Sequence, residues 1–188
     1  MRPEMSSNSN TIHDSGCPLA ATAVAIDNDK ASPQAVKWAA DHLLQSQDCV
    51  VLLHVKTKTH DTTAEIISEM PTQKGEDDMS QLFLPLRGFC ARKDIKVMEV
   101  VLEDIDICKA IVNYINVCSI QNIVLGASTR SSLIKKFRSN STDLATNITK
   151  LAPDFCAVYV IQKGRPATIR KAKSPPPPPS LDSDDSIR

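Results

Sequence analysis

Four short runs of this chain are dominated by apolar residues: Ala23-Val24-Ala25-Ile26, residues 49–55, residues 120–125 and residues 156–161. A strand that does not alternate between apolar and polar side chains must be covered on both faces. That condition is met by a parallel sheet with helices on either side. The intervening segments repeat apolar residues at helical spacing. Val36, Ala39, Ala40, Leu43 and Leu44 form one such face, and Met79, Leu82, Phe83, Leu86 and Cys90 a second. Ile107, Ile111, Ile115 and Cys118 form a third, and Leu144, Ile148 and Leu151 a fourth. Residues 95–101 alternate partly, as an outer strand of the sheet would. Five strands joined by four helical connections predict an α/β, doubly wound, five-stranded parallel sheet of Rossmann-like or flavodoxin-like type.

Local signals sharpen the element ends. Ser32-Pro33 reads as a hydroxyl cap followed by proline at the first helical position, and Asp104 as the cap of the third helix. Pro85 falls inside the second helical pattern and is expected to kink or split it. Residues 1–18 show no periodicity and read as a disordered leader, residues 19–164 as the folded domain. Residues 165–188 read as a basic, proline-rich tail or linker, ending in Asp182, Asp184 and Asp185.

Charge and cysteine usage narrow the function classes. With 22 Lys+Arg against 22 Asp+Glu, the chain lacks the net positive field of a nucleic-acid binder. No apolar run reaches membrane-spanning length and no secretory leader is visible, so the expectation is a cytoplasmic or nuclear protein without membrane contact. The six cysteines form no C-x-x-C pair and fall mostly in apolar patterns, as small core hydrophobes do. Cys17, in the polar leader, is the exception. His54 sits in an apolar strand and reads as a core histidine; no partner stands at metal-ligand spacing, so no structural metal is expected.

In doubly wound sheets the ligand lies beyond the carboxyl ends of the strands, where strand order reverses. Asp27 leaves the first strand and Gly126 the fourth, so both should face one crevice. After Gly126 come Ala127-Ser128-Thr129-Arg130 and then residues 131–142, rich in hydroxyl and basic side chains and free of acidic ones. Arg130, Lys135, Lys136 and Arg138 could neutralise an anion, and Ser139, Ser141 and Thr142 could donate to it. The segment contains no glycine, so it lacks the positive-φ freedom with which backbone wraps phosphate.

The stretches Val24-Ala25-Ile26-Asp27, Ala35-Val36-Lys37-Trp38-Ala39, Leu52-Leu53-His54-Val55 and Ile123-Val124-Leu125-Gly126 resemble the universal stress protein family. The closing Ala152-Pro153-Asp154-Phe155-Cys156-Ala157-Val158 resembles its plant branch, the module found ahead of receptor-like cytoplasmic kinase and U-box domains. The resemblance implies ATP or AMP as ligand. It places Asp27 against adenine or ribose, Val55 as a backbone contact, and Gly126, Thr129 and Ser139 in the phosphate loop, beside the Arg130, Ser141 and Thr142 side chains whose own chemistry suits an anion. Thr129 stands where ATP-binding members have their second glycine, and the third glycine position falls at Ser139 or, with a short insertion, near residues 140–143. Asp27 is equally explained as a turn former beside Asn28 and Asp29.

Three functions follow as expectations. One is a stress-response sensor or adaptor with weak or lost nucleotide binding, acting through protein partners, with a homodimer through its last strand as one of them. Another is an ATP-binding protein with slow hydrolysis, and the third the N-terminal part of a kinase or U-box ubiquitin ligase. No catalytic residue is assigned within these residues.

Overall fold

The structure, a computed structural model, describes residues 20–57, 74–127 and 143–178. Six strands form one sheet: β1 (Thr22–Ala25), β2 (Cys49–Thr57), β3 (Lys96–Asp104), β4 (Asn122–Gly126), β5 (Ala157–Gln162) and β6 (Arg165–Arg170). Four helices connect them: α1 (Ala31–His42), α2 (Lys74–Ala91), α3 (Ile107–Val117) and α4 (Leu144–Leu151). Strand order is β3-β2-β1-β4-β5-β6, and β1 to β5 run parallel. The doubly wound parallel sheet expected from the apolar runs is therefore present, with one strand more.

The apolar runs do not alternate because each strand feeds two cores. Val51, Leu53, Ile123, Leu125 and Val158 point to the face covered by α3 and α4, against Ile111, Ile115 and Ile148. Val50, Leu52, Val24, Val124 and Ile161 point to the opposite face, against Val36, Trp38 and Ala39 of α1 and Phe83 and Leu86 of α2. Each fully buried Leu or Ile contributes about 1.5–3 kcal/mol relative to exposure, so both faces must be covered for the sheet to hold. Edge strand β3 keeps the half-exposed alternation read for residues 95–101.

Three local expectations are corrected. Helix α1 begins at Ala31, so Ser32 lies inside it; the capping acceptor is Asp29, whose Oδ1 takes the N–H groups of Ala31 (3.1 Å) and Ser32 (2.8 Å). Asp106 caps α3 by accepting from the Lys109 amide at 3.1 Å, while Asp104 accepts from the amide of Asp106 instead. Of the two outcomes expected at Pro85, splitting does not occur: α2 continues through it.

The largest departure is β6. The sequence places residues 165–188 outside the folded domain, yet Arg165–Arg170 pairs antiparallel with β5. Its cause is local. Lys163 (φ 52°) and Gly164 (φ 75°) both adopt positive φ, the requirement of a two-residue hairpin turn whose twist matches the flanking strands. At the far end the Arg170 guanidinium donates to the carbonyls of Thr149 (2.9 Å), Ala152, Pro153 and Cys156 (2.8 Å each). It thus satisfies acceptors left open at the end of α4. Val158, Val160 and Ile161 are buried, and β5 is paired on both edges, with β4 and with β6.

Among the described cysteines, Cys90, Cys108 and Cys156 are buried and Cys49 and Cys118 half-buried, all as free thiols. Cys17 lies outside the described residues.

Candidate functional site

Strand order reverses between β1 and β4, and a cavity of about 270 Å³ opens there at their carboxyl ends. Its apolar walls are Ala25, Leu53, Val55, Ile107, Ile111 and Leu125, with Leu144 and Ala145 from α4. Its polar groups are Asp27, Asp29, Ser32, His54 and Asp143. The topology brings Asp27 and Gly126 to this one crevice, as expected for residues leaving β1 and β4, and Val55 lines it too. Thr129, Arg130, Ser139, Ser141 and Thr142 lie outside the described residues.

The mouth of the crevice is tied together by short-range hydrogen bonds. The Asp27 amide donates to Ser32 Oγ at 2.8 Å, and that hydroxyl donates to Asp29 Oδ1 at 2.8 Å. Asp27 Oδ1 accepts the Asn28 amide at 2.8 Å, which is the turn-forming role open to it from sequence. Asp27 is exposed and lines the cavity.

His54 is more than a filler of the core. It is half-buried, lines the cavity, and its Nδ1 lies 3.0 Å from the carbonyl oxygen of Ile26. A carbonyl only accepts, so Nδ1 carries the proton in this contact. Asp29, Ser32 and Asp143 were also absent from the candidates drawn from sequence. The Asp29-to-Ser32 spacing at a helix start was a readable capping signal; nothing local marks His54 or Asp143, which reach the crevice only through the packing of β2 and α4.

Gly126 has a mechanical reason to be glycine. A β-carbon there would meet the carbonyl carbon, the oxygen and the Cβ of Ala31, each at 2.8 Å. The start of α1 therefore lies directly against the end of β4. This places a helix N-terminus, ordinarily an anion site, beside the crevice. Two of its amides are already occupied by the Asp29 carboxylate, however. Asp27, Asp29 and Asp143 line this part of the crevice, and no Lys or Arg stands among its described lining residues. Among the described residues no three His, Cys, Asp or Glu side chains are grouped to hold a metal ion, and no helix is long and apolar enough to cross a membrane.

A doubly wound sheet with an open crevice at the β1/β4 reversal defines a nucleotide-binding type of fold. Residues 22–150 match the universal stress protein family, and the chain belongs to that family. Among curated proteins it is similar to U-box domain-containing protein 51 of Arabidopsis thaliana, 28% identical over 162 residues, covering 84% of this chain and 20% of the relative. It is also similar to U-box domain-containing protein 35 of the same plant, 25% identical over 163 residues, covering 80% and 19%. The chain thus spans about a fifth of the length of these relatives.

Among solved structures, the hypothetical protein MJ0577 aligns with a TM-score of 0.57 at 15% identity, covering 76% of this chain and 95% of that one. A universal stress protein family protein from Arabidopsis thaliana with AMP bound aligns at 0.51 and 14% identity, covering 75% and 90%. At these identities the likeness shows the fold.

Proposed function

We propose that this chain is a sensor or adaptor module of the stress-protein type, holding ATP or AMP weakly or not at all and acting through contacts with other proteins. The observation that carries this reading is the Asp29 carboxylate seated on the first amides of α1, where a phosphate would otherwise be received. The negative charge of Asp27 and Asp143 at the same crevice supports it. The likeness to U-box proteins supports a setting in which this module serves a longer chain, with any catalysis elsewhere. A cytoplasmic or nuclear location fits that setting.

A second reading has its own support. The apolar walls suit an adenine ring, and one structural neighbour has AMP bound. In that reading Asp27 contacts adenine or ribose and Val55 offers backbone groups. Gly126, Thr129, Arg130, Ser139, Ser141 and Thr142 surround the phosphates, and hydrolysis, if any, is slow.

Thermal shift with AMP, and with ATP and magnesium, separates the two. The adaptor reading expects little stabilisation. A rise of several degrees that Asp27→Ala abolishes overturns it in favour of the second.

A further inference from the structure

The sheet has two outer edges, and they are built differently. On one side β6 pairs with β5 across a register shift at Val160/Ile161, and it carries Pro166, which has no N–H to donate, between Arg165 and Arg170 at its ends. An irregular register, proline and charge are the devices with which natural edges resist further pairing. On the other side β3 pairs with β2 through nine consecutive residue pairs, from Cys49↔Lys96 to Thr57↔Asp104, without interruption. The strand contains neither proline nor glycine. Among the described residues no strand pairs with its outer edge. Met98 and Val101 of β3 are 37% and 39% exposed. Leu84 of α2, 58% exposed, stands one helical turn before Arg87, whose guanidinium lies 3.4 Å from the Glu99 carboxylate of β3.

We propose that the outer edge of β3 is the interface for a second copy of this chain, with β3 pairing antiparallel to its own counterpart about a two-fold axis at Val100. The strand's residues, Lys96-Val97-Met98-Glu99-Val100-Val101-Leu102-Glu103-Asp104, select both the occupant and the register. A two-fold axis normal to the sheet carries each face of one copy into the same face of the other. Side chains alternate between faces, so the axis must fall on a residue and not between two. With the axis at Val100, Lys96 stands opposite the partner's Asp104, Met98 opposite the partner's Leu102 and Glu99 opposite the partner's Val101. The end pairs are of opposite sign. Met98 and Leu102 flank Val100 and extend the apolar layer that Val100 and Leu102 already join with Ile107 and Ile111 of α3. Moving the axis by one residue spoils the match. At Glu99 it sets two Glu99 carboxylates opposite each other, and at Val101 it sets each Glu99 opposite the partner's Glu103. Like charges directly opposed destabilise an antiparallel pair. Main-chain hydrogen bonds along the strand supply affinity, and these side-chain pairs supply specificity.

This edge differs from the last strand expected to dimerise, since β5 is already paired with β4 and β6. No residue of β3 lines the crevice, so the fate of nucleotide binding does not decide the proposal. The test is sedimentation velocity of the full chain across a range of concentrations, where a reversible monomer–dimer equilibrium is expected. Val101→Glu sets a second carboxylate opposite the partner's Glu99, twice per dimer by symmetry, and should weaken association about tenfold. Val101→Lys, at the same position, should leave association intact or strengthen it, because lysine there meets the partner's Glu99. Ile169→Glu, on the exposed β6 edge, should leave the dimer unchanged. Val101 and Ile169 lie outside both cores, and unchanged circular dichroism confirms that the variants fold. A chain that stays monomeric at every concentration overturns the proposal, and so does a dimer that survives Val101→Glu. Equal weakening by Val101→Lys and Val101→Glu overturns the register with its axis at Val100.

Discussion

Gly126 and Ala31 are in such close approach that no side chain fits between them: a β-carbon on Gly126 would lie 2.8 Å from three atoms of Ala31. The glycine at the end of β4 is thus explained by packing of α1 against the sheet before any ligand is invoked. The same approach brings the α1 N-terminus and its capping Asp29 to the crevice, so one contact shapes both the fold and the electrostatics of the site.

Gly126→Ala should destabilise the domain by about 1–3 kcal/mol, the usual range for overpacking. A urea titration should show a lower midpoint with an unchanged slope. Adding Ala31→Gly should restore only part of the loss, because two of the three close atoms belong to the backbone. Wild-type stability in Gly126→Ala would mean that α1 and β4 are not held in this approach.

Asp29→Ala removes the acceptor for two α1 amides and for the Ser32 hydroxyl, and should cost about 1 kcal/mol. It also frees those amides and removes one negative charge from the crevice. Stabilisation by AMP in a thermal shift should therefore grow in this variant relative to wild type. If AMP stabilises the variant no more than wild type, Asp29 is not what opposes phosphate.

Arg170→Ala should destabilise by about 2–4 kcal/mol, since four carbonyls lose charged donors at once. Arg170→Lys should recover little, because one ammonium cannot reproduce the planar fork. Hydrogen exchange is the sharper readout: β6 amides should lose protection while β1 and β4 keep theirs. Uniform loss across the sheet would mean that β6 is not a separately anchored strand.

Burial pushes the Cys156 thiol up to about 11, against an ordinary value of 9.0, with the Arg170 charge opposing the shift only partly. The unfolded thiol ionises first as pH rises, so this contribution is full below pH 9.0 and is lost progressively up to about 11. The loss should total about 2–3 kcal/mol. Unfolding free energy measured across that window should fall less steeply in Cys156→Ala. Iodoacetamide should leave Cys156 of the native protein unmodified near neutral pH, as mass spectrometry of the digested product would show.

The parallel sheet was legible because covering both faces of a strand leaves a direct mark: Val50 to Leu53 can all be apolar only if successive residues enter different cores. Asp27 and Gly126 were legible for a related reason, since the ends of adjacent parallel strands must open on the same side, whereas Val55 came only from the family resemblance. Strand β6 was hidden. Its burial pattern is almost wholly exposed, so the apolar signal that reveals a strand is missing, and Arg165-Pro166-Ala167-Thr168-Ile169-Arg170 reads as tail. What makes it a strand is a turn at Lys163-Gly164 and an arginine reaching carbonyls 14 to 21 residues away.

Composition and periodicity alone determined the class of fold and the corner of the sheet where a ligand would enter, because burial repeats with the geometry of each element; the family was read from the resemblance of particular stretches. Tertiary structure alone decided the character of that corner. Gly126 serves helix packing, Asp29 occupies the α1 amides, and His54 faces the cavity rather than the core interior. Each depends on which side chains meet across separate elements, and hydrogen bonds and charge, unlike burial, leave no period along the chain.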